Sequence, residues 1–381
     1  MRINVVGAGI MGLSTAFALI EAGHRVTIFE QGTIPNPLGS SGDTHRLIRH
    51  PYGAMGGYSR LINPAYAAWD RMWDALGQTL YEHTGTLVLA REVLSWAEQS
   101  LADMEQLGIA SEILNAQQLK ARAPMLETAG VELAAWIDSG GVLLAEQIVG
   151  ALGAHLLRKG ATIRTHTAVA EIEEDQGAVV LEDGERIRAD GVVVAAGPWV
   201  HRLRNGLKKR IRPSRQLVIY LQEPSAFAKA WKDAPMVLDI HKTGGIYVVP
   251  PVRNTGLKVG EHSFSLQGHP NDDRTPGEAE CQALLEECRT RFSSLDDYQI
   301  VRGKVCFYSV EPEERFALEH KEKTILMTGF SGHGFKFGAL MGQLAAAVIT
   351  NQGDGEALAQ LAAGNVTDPE EIAALTNPDL A

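Results

Sequence analysis

The first thirty residues contain the pattern that most constrains the fold. A short apolar run, Ile3 to Val6, precedes Gly7-Ala8-Gly9-Ile10-Met11-Gly12, and Leu13 to Ala22 then predicts a helix. A second apolar run, Arg25 to Phe29, ends at Glu30. Strand, glycine turn, helix, strand and acid in this order predict a unit that binds a dinucleotide. A lone glycine triplet would be a weak signal, whereas the whole unit is specific.

Each glycine of the turn has a physical role in such a unit. Gly7 permits a tight turn, Gly9 lets the backbone approach a pyrophosphate, and Gly12 lets the helix pack on the strand. The amides at the N-terminus of the helix, with their partial positive charge, then face the phosphates. Glu30 can accept hydrogen bonds from ribose hydroxyls. The alternative is a strand–helix turn without a ligand, and the unit alone does not distinguish FAD from NAD.

Length, charge and cysteine content narrow the classes of protein. A chain of 381 residues suits two domains. The formal net charge of −11 argues against a nucleic-acid surface. Three cysteines form no disulfide framework and fit a reducing compartment. No signal peptide is apparent, and no apolar run reaches the roughly 18 residues that span a bilayer. We therefore expect a cytoplasmic protein without a membrane partner.

The order of the segments predicts a discontinuous architecture. Gly191 to Trp199 is an apolar strand and turn of the kind found at the centre of a parallel sheet, and alternating strands follow from Arg210. A late glycine-rich loop then opens the helix Gly338 to Thr350, which would bring a second helix N-terminus to the cofactor. The expected nucleotide domain comprises residues 1–80, 146–210 and 320–381, and a strand-rich substrate domain comprises 81–145 and 211–319.

One helix carries a stripe of large side chains. Asn63 to Leu76 is predicted to be helical, with Tyr66, Trp69, Met72 and Trp73 at near-helical spacing. Such a stripe is typical of a core, and we assign it no chemical role.

Five motifs in a fixed order carry a resemblance to a known family. They are the glycine unit, Ser41-Gly42-Asp43-Thr44 with Arg46 to Gly53, Gly256 to Gly260, Val305 to Tyr308, and Gly329 to Lys336. Together they resemble monomeric sarcosine oxidase and N-methyltryptophan oxidase, within the D-amino-acid-oxidase-like flavoenzymes, over essentially the whole chain. The resemblance implies FAD as cofactor and an α/β (α+β) fold, in which a Rossmann-like FAD-binding domain carries an inserted antiparallel-sheet substrate domain. It also implies a monomer.

The resemblance implies roles for three residues, two beside the flavin and one near the substrate. Cys306 matches a cysteine that carries the flavin through a thioether, where the alternative is a buried inert thiol. Lys258 matches a lysine that helps to activate O2, because a fixed cation stabilises superoxide as it forms. The alternative is a solvated lysine that protects a sheet edge. His262 matches a histidine near the substrate, where the alternative is a structural histidine.

The resemblance also implies a substrate site and further cofactor contacts. Arg49 and Lys336 match the pair that binds a substrate carboxylate, Arg46 matches an arginine against the flavin, and Tyr247 and Tyr308 match tyrosines that line the pocket. Unrelated surface cations and core aromatics are the alternatives. The expected cofactor contacts are Gly7, Gly9, Ile10, Met11, Gly12, Glu30, Gln31, Ser41, Thr44, Arg46, Val169, Gly197, Trp199, Cys306, Gly332, Gly334, Phe335 and Lys336, and no metal is expected.

One loop departs from the family pattern. His45 stands between Thr44 and Arg46, where sarcosine oxidase runs directly from threonine to arginine, and Ser41 stands where those relatives carry a histidine. The spacing from Arg46 to Arg49 is kept, so we expect the loop to bulge by one residue. The substrate domain also matches the family only around its motifs, so sarcosine itself is not transferred as the substrate.

The sequence therefore predicts an FAD-dependent amine oxidase. Its substrate would be an N-methyl or cyclic secondary amino acid, oxidised to an imine while O2 is reduced to H2O2. Three alternatives stay open at this stage: a flavin dehydrogenase of the same fold that feeds a quinone or carrier, an NAD-dependent enzyme, and a non-catalytic flavoprotein subunit.

Overall fold

The fold is described from a computed structural model, in which residues 1–92, 95–204, 206–207, 210–241 and 244–377 are described. Its first layer is a six-stranded sheet in which the N-terminal strand is central. All neighbouring strands run parallel except the pair at one edge. In spatial order the strands are β19 (Ala317–Lys321), β20 (Thr324–Thr328), β13 (Gly191–Val194), β1 (Arg2–Val6), β2 (Arg25–Phe29) and β9 (Thr162–Arg164).

Apolar helices cover this sheet. The helix α1 (Ile10–Glu21) packs against α9 (Gly338–Ile349) and α5 (Ala145–Arg158). A β-carbon on Gly342 would lie 2.5 Å from the backbone of Ser14, so only a glycine lets α1 and α9 approach this closely. The contact joins the first and last parts of the chain.

The helix α2 (Gly56–Leu76) starts earlier than the sequence predicts. The expected start at Asn63 is wrong, because Pro64 lies inside the helix rather than in its first turn. The preceding turns are held by burial of Tyr58, Leu61 and Ile62, each fully buried. Trp69, Met72 and Trp73 are buried as the stripe predicts.

A second layer is an eight-stranded sheet. In spatial order its strands are β18 (Gln299–Val310), β14 (Arg212–Gln222), β17 (Leu257–Glu261), β16 (Gly244–Val249), β15 (Met236–His241), β5 (Thr86–Ala90), β7 (Leu133–Ile137) and β6 (Glu112–Ile113). The predicted antiparallel sheet needs one correction, because β5 and β15 pair in parallel. These strands come from separate stretches of chain, so no hairpin forces them to run antiparallel.

Two small sheets complete the strands. One comprises β3 (Arg46–Ile48), β8 (Gly141–Leu143) and β4 (Tyr81–His83), and the other is the meander of β10 (Val169–Glu173), β11 (Ala178–Leu181) and β12 (Arg186–Arg188). The remaining helices are α3 (Trp96–Gln106), α4 (Ala116–Arg122), α6 (Val200–Leu203), α7 (Ala228–Lys232), α8 (Glu278–Glu286), α10 (Gly355–Ala362) and α11 (Pro369–Leu375). None of the helices in the described ranges is long and apolar enough to cross a membrane.

Candidate active site

A long cleft opens where β1 and β2 end. With its open mouth it encloses about 1300 Å³. We call it the nucleotide cleft, and it is lined by residues from distant parts of the sequence. Among them are Gly7, Gly9, Ile10, Met11, Glu30, Gln31, Ser41, Arg46, Val169, Gly197, Trp199, Gly332, Gly334 and Phe335. The fold thus brings most of the predicted cofactor contacts to one surface.

The glycine turn is shaped by close backbone approaches. Gly7 has φ +102°, and a β-carbon there would lie 2.4 Å from the carbonyl oxygen of Ala195. Gly12 does not line the cleft, and a β-carbon on it would lie 1.9 Å from the carbonyl oxygen of Gly7. Gly9 differs, since among the described residues only the Ser41 hydroxyl, at 3.4 Å, lies within 4 Å of its hypothetical β-carbon. The open side of Gly9 therefore lets a ligand approach the backbone.

Glu30 is fixed at the end of β2. Its carboxylate accepts hydrogen bonds from the backbone N–H of Ala8, the backbone N–H of Gly32 and the side-chain amide of Asn36, each at 2.9 Å. An ionised carboxylate has about four acceptor positions, so one remains for a ligand hydroxyl. This geometry fits the ribose of a dinucleotide.

A second cavity, which we call the inner pocket, continues the nucleotide cleft. Both are lined by Arg46, Tyr308, Ser331, Gly332 and Phe335, which lie where they meet. The inner pocket also collects the predicted catalytic and substrate residues Arg49, Tyr247, Lys258, His262 and Lys336. A ligand that fills the cleft would therefore reach the residues that carry chemistry.

Two buried cations, Arg49 and Lys336, face the inner pocket, and the carboxyl group of Glu314, which also lines the pocket, attracts Arg49 without forming a salt bridge with it. The guanidinium carbon of Arg49 lies 4.7 Å from the centre of the Tyr52 ring and 5.3 Å from that of Trp96, and no described residue forms a hydrogen bond with its Nη1. Lys336 Nζ donates to the Tyr52 hydroxyl at 3.0 Å and to the carbonyl oxygen of His333 at 2.9 Å. Neither cation forms an ion pair with a residue of the described ranges. Burial lowers the pKa of both cations, so an anionic ligand would relieve an energetic cost.

A hydrogen-bonded chain that the sequence did not predict supports Lys336. His333 Nδ1 lies 3.2 Å from the Tyr52 hydroxyl, and its Nε2 lies 2.9 Å from the carbonyl oxygen of Glu314. Burial lowers the pKa of His333 well below its usual range, so the ring is neutral. Nε2 then donates to Glu314, Nδ1 accepts from Tyr52, and Tyr52 accepts from Lys336. Tyr52 belongs to the motif from Arg46 to Gly53, which carried the family resemblance. This motif was the signal in the sequence that could have indicated a role for Tyr52.

Lys258 is buried rather than solvated at a sheet edge. Its Nζ donates to Asp43 Oδ2 at 2.6 Å and to the carbonyl oxygen of His45 at 3.3 Å. Asp43 also accepts from Arg46 Nη1 at 3.0 Å and from the Tyr220 hydroxyl at 2.6 Å. Although burial alone raises the pKa of Asp43, the charges of Lys258 and Arg46 hold it well below its usual range. The carboxylate is therefore ionised among these cations.

His262 and the two pocket tyrosines lie in the wall of the inner pocket. Burial, reinforced by the charges of Arg49 and Lys336, lowers the pKa of His262 to about 4, so the ring is neutral near pH 7. Burial raises the pKa of both Tyr247 and Tyr308, and each tyrosine influences the ionisation of the other. Both hydroxyls are therefore protonated.

Two predicted residues lie behind the walls of the cavities. Cys306 is buried on β18, two residues from Tyr308 and hence on the same face of the sheet, but it does not line either cavity. Burial raises the pKa of its thiol. Thr44 does not line them either, and its hydroxyl is 2.7 Å from that of Tyr220.

The inserted His45 is directed into the protein. Its ring is fully buried and stacks on Tyr220, with ring centres 5.9 Å apart. Its Nε2 lies 3.4 Å from the carbonyl oxygen of Gly256, whereas Nδ1 has no partner. Arg46 begins β3 and Arg49 follows it, and both side chains reach the inner pocket.

The parallel sheet, glycine turn, ribose-directed carboxylate and open cleft define a dinucleotide-binding protein with a Rossmann-like fold. The family model of FAD dependent oxidoreductases matches residues 2–348. The chain therefore belongs to this family, and FAD fits the cleft because Gly9 leaves the backbone open and Glu30 keeps one free acceptor position. No group of three or more His, Cys, Asp or Glu side chains that could hold a metal occurs in the described part of the chain.

Individual relatives are amine-oxidising and amino-acid-oxidising enzymes. The chain is 26% identical to N-methyl-L-tryptophan oxidase of Yersinia pestis (strain Pestoides F) over 352 residues, which is 90% of this chain and 93% of the relative. Its fold resembles L-proline dehydrogenase from P. horikoshii, with TM-score 0.79, 21% identity and coverage of 93% and 94% of the two chains. It also resembles NikD, an unusual amino acid oxidase essential for nikkomycin biosynthesis, with TM-score 0.78, 21% identity and coverage of 92% and 94%.

Proposed function

We propose that the protein is an FAD-dependent amine oxidase that acts on an N-methyl or cyclic secondary amino acid and reduces O2 to H2O2. The observation that carries the proposal is the pair of buried cations, Arg49 and Lys336, in a pocket that continues the nucleotide cleft. The match of 26% identity to an N-methyl-L-tryptophan oxidase supports the amine class.

The two cations bind the substrate carboxylate. The guanidinium of Arg49 can hold both carboxylate oxygens through its planar fork, and Lys336 adds a point charge that Tyr52 orients. Anchoring the carboxylate fixes the reacting carbon relative to the cofactor, which is catalysis by orientation. An amine without a carboxylate lacks this anchor and would bind more weakly.

The positive pocket also favours the reactive form of the amine. A secondary amine must be neutral before the C–N bond can be oxidised. Arg46, Arg49, Lys258 and Lys336 line the pocket together with Glu261 and Glu314, so cations outnumber carboxyl groups, and nearby positive charge lowers the pKa of a substrate ammonium group. The imine that forms is then hydrolysed by water.

The chain's own residues hold FAD along the cleft. We propose that residues 1–80, 146–210 and 320–381 form the FAD-binding domain, and that 81–145 and 211–319 form the substrate domain. Gly9 and the N-terminus of α1 face the pyrophosphate, Glu30 binds the ribose, and Arg46 lies at the junction with the inner pocket. Cys306 would carry the flavin covalently, and because its thiol does not line either cavity, the side chains in front of it would have to move to expose it. Bound FAD supplies the two-electron chemistry, taking a hydride equivalent from the amine and returning the electrons to O2.

Lys258 provides the fixed positive charge for the reaction with O2. It lies in the wall of the inner pocket, and it is held by Asp43. A cation fixed before the reaction stabilises the negative charge of superoxide without reorganisation. His262, Tyr247 and Tyr308 complete the pocket around the substrate.

A same-fold dehydrogenase is the second candidate function, because an L-proline dehydrogenase shares the fold at TM-score 0.79. Such an enzyme would pass its electrons to a quinone or a carrier. A non-catalytic flavoprotein subunit is the third candidate function.

The proposed enzyme is a cytoplasmic monomer. Sedimentation would test its oligomeric state, and cell fractionation would test its location.

The deciding experiment uses a panel of N-methyl and cyclic amino acids. Each compound is titrated into the purified yellow protein without oxygen, and bleaching of the flavin absorbance identifies a substrate. Air is then admitted and H2O2 is measured. A colourless, flavin-free protein would defeat the proposal, and rapid dye reduction without peroxide would favour the dehydrogenase. If no compound bleaches the flavin, the non-catalytic subunit is favoured.

A further inference from the structure

Asp43 lies at the centre of a buried charge cluster between the N-terminal loop and the second sheet. Its carboxylate contacts Lys258, Arg46 and Tyr220, and it lies 3.6 Å from Lys304 Nζ. The side chains of Asp43 and Lys258 are 5% and 2% exposed. Asp43 itself does not line the inner pocket, whereas Lys258 does. Any effect of Asp43 on the reaction must therefore act through its neighbours.

Lys258 depends on Asp43 for its charge and position. Within the described residues the ammonium group donates two hydrogen bonds, to the Asp43 carboxylate at 2.6 Å and to the His45 carbonyl oxygen at 3.3 Å. Burial lowers the pKa of Lys258, the Asp43 carboxylate opposes that shift, and Arg46 reinforces it. Without the carboxylate, a buried ammonium group would keep one long hydrogen bond and face a second cation.

Asp43 is itself held by a neutral scaffold. The Tyr220 hydroxyl donates to Asp43 Oδ1 and can accept from Thr44 on its other side. His45 packs on the Tyr220 ring, and burial, together with the charge of Lys258, lowers the pKa of His45 to about 3, so it adds no charge. The titratable and charged groups that face the pair are His45, Arg46, Tyr220, Tyr247, Lys304, Cys306 and Tyr308. None of these groups is a carboxylate, so Asp43 provides the only carboxylate in the cluster they form with the pair.

We propose that Asp43 is a positioning residue for the reaction with O2: its carboxylate fixes the Lys258 ammonium group, as a cation, in the wall of the inner pocket. This inference rests on the proposed function only where it concerns O2. The fixation of Lys258 is a property of the folded protein and can be measured without turnover.

The direct test is the protonation of Lys258, read by NMR. The holoenzyme is labelled with lysine carrying ¹³C at the ε-carbon, and the Lys258 resonance is identified as the one lost in Lys258→Met. In the wild-type protein this resonance should have the chemical shift of a charged lysine near pH 7. The shift of a neutral amine there would overturn the proposal, and this measurement uses Lys258→Met only for the assignment and needs no variant of Asp43.

The Asp43→Asn variant gives the second measurement. A fully buried lysine beside a second cation can have its pKa displaced by several units, so we expect the Lys258 titration to move down by about 2 pH units or more. Reoxidation of the reduced flavin by O2 should slow by about tenfold near pH 7 and should recover as the pH is lowered. A Lys258 titration at the same pH as in the wild-type protein would overturn the proposal.

Asp239→Asn is the matched control. Asp239 is a buried aspartate in the eight-stranded sheet that also contains Lys258. Its carboxylate pairs with Arg91 at 2.9 Å and Arg291 at 3.2 Å, and it does not line either cavity. Losing this pair should destabilise the fold without moving the Lys258 titration, and a shift as large as that of Asp43→Asn would contradict a specific role for Asp43. If Lys258 titrates as proposed but no amine is oxidised, the proposed function fails and the fixation of Lys258 stands.

Discussion

The indole nitrogen of Trp69 donates a 2.7 Å hydrogen bond to the backbone carbonyl oxygen of Lys336. The ring of Trp69 also stacks near Phe335, with ring centres 6.2 Å apart and planes inclined by 16°. A helix from the first part of the chain therefore holds the glycine-rich loop from the last part, at the residue proposed to bind the substrate carboxylate. The aromatic stripe is core, as its spacing predicted, but one member supports the active site.

Replacing Trp69 with Phe should loosen this loop. The change leaves the buried carbonyl oxygen of Lys336 without its donor, which costs about 1–3 kcal/mol. Urea unfolding should show this loss, and the KM for the substrate should rise. Trp73→Phe is the control, because it removes a neighbouring indole and leaves the Trp69–Lys336 bond in place. Equal effects of the two changes would refute the supporting role of Trp69.

Removing the charge of Lys336 should weaken substrate binding. The Lys336→Met variant loses a charge-assisted contact of about 1.5–3 kcal/mol, so KM should rise roughly 10- to 100-fold. Tyr52→Phe removes an acceptor of the ammonium group and the donor to His333 but no charge, so it should have a smaller effect. Lys321→Met, at an exposed ion pair with Glu174, should leave KM unchanged. An unaltered KM in Lys336→Met would mean that the carboxylate binds elsewhere.

Covalent attachment of the flavin can be read after acid precipitation. If Cys306 carries the flavin, the yellow colour of the wild-type protein stays in the pellet, and Cys306→Ser releases it to the supernatant. Cys281→Ser removes another buried cysteine, one on α8, and should keep the colour in the pellet. A yellow supernatant from the wild-type protein would exclude the thioether.

Alanine substitutions at two glycines of the turn should have different effects, one on the stability of the fold and the other on the affinity for FAD. A β-carbon on Gly12 would lie 1.9 Å from the backbone of Gly7, so Gly12→Ala should destabilise the fold by about 1–3 kcal/mol or more. A β-carbon on Gly9 would have just the Ser41 hydroxyl, at 3.4 Å, within 4 Å in the described part of the chain, so Gly9→Ala should fold and instead bind FAD more weakly. Chemical unfolding and fluorescence titration of FAD measure the two effects. The same loss of stability in both variants would contradict this division.

Buried His45 should make the protein less stable in acid. Burial, with the Lys258 charge, lowers its pKa from 6.5 to about 3 in the folded protein. Between these pH values the unfolded chain binds a proton that the folded protein does not, so stability falls as the pH falls from 6.5 towards 3. His45→Asn should reduce this slope by up to about 1.4 kcal/mol per pH unit. Urea unfolding at several pH values measures it.

The exposed His83 provides the control for this pH effect. His83→Asn removes a histidine without removing a buried ring, and it should leave the slope close to that of the wild-type protein. A slope unchanged in His45→Asn would show that the ring takes up its proton in the folded state.

Local patterns determined a large part of the fold. The strand, glycine turn, helix and second strand follow from neighbouring residues, because the apolar periodicity and the freedom of Gly7 act within one stretch of chain. The buried strand at Gly191 was predictable for the same reason. The parallel pairing of β5 with β15 was not, because it joins strands from separate stretches with no hairpin between them.

In the candidate site, too, the sequence predicted one part and the tertiary structure decided the other. The motifs around Arg46, Lys258 and Lys336 predicted which residues would gather, since these stretches carried the resemblance. Only the tertiary structure decided their partners: Asp43 meets Lys258 across 215 positions of sequence, and Tyr52 meets Lys336 across 284. The partner of each cation depends on which side chains the packed sheets bring within hydrogen-bond distance. Because the cation is buried and has little contact with water, this partner then controls whether the cation stays charged.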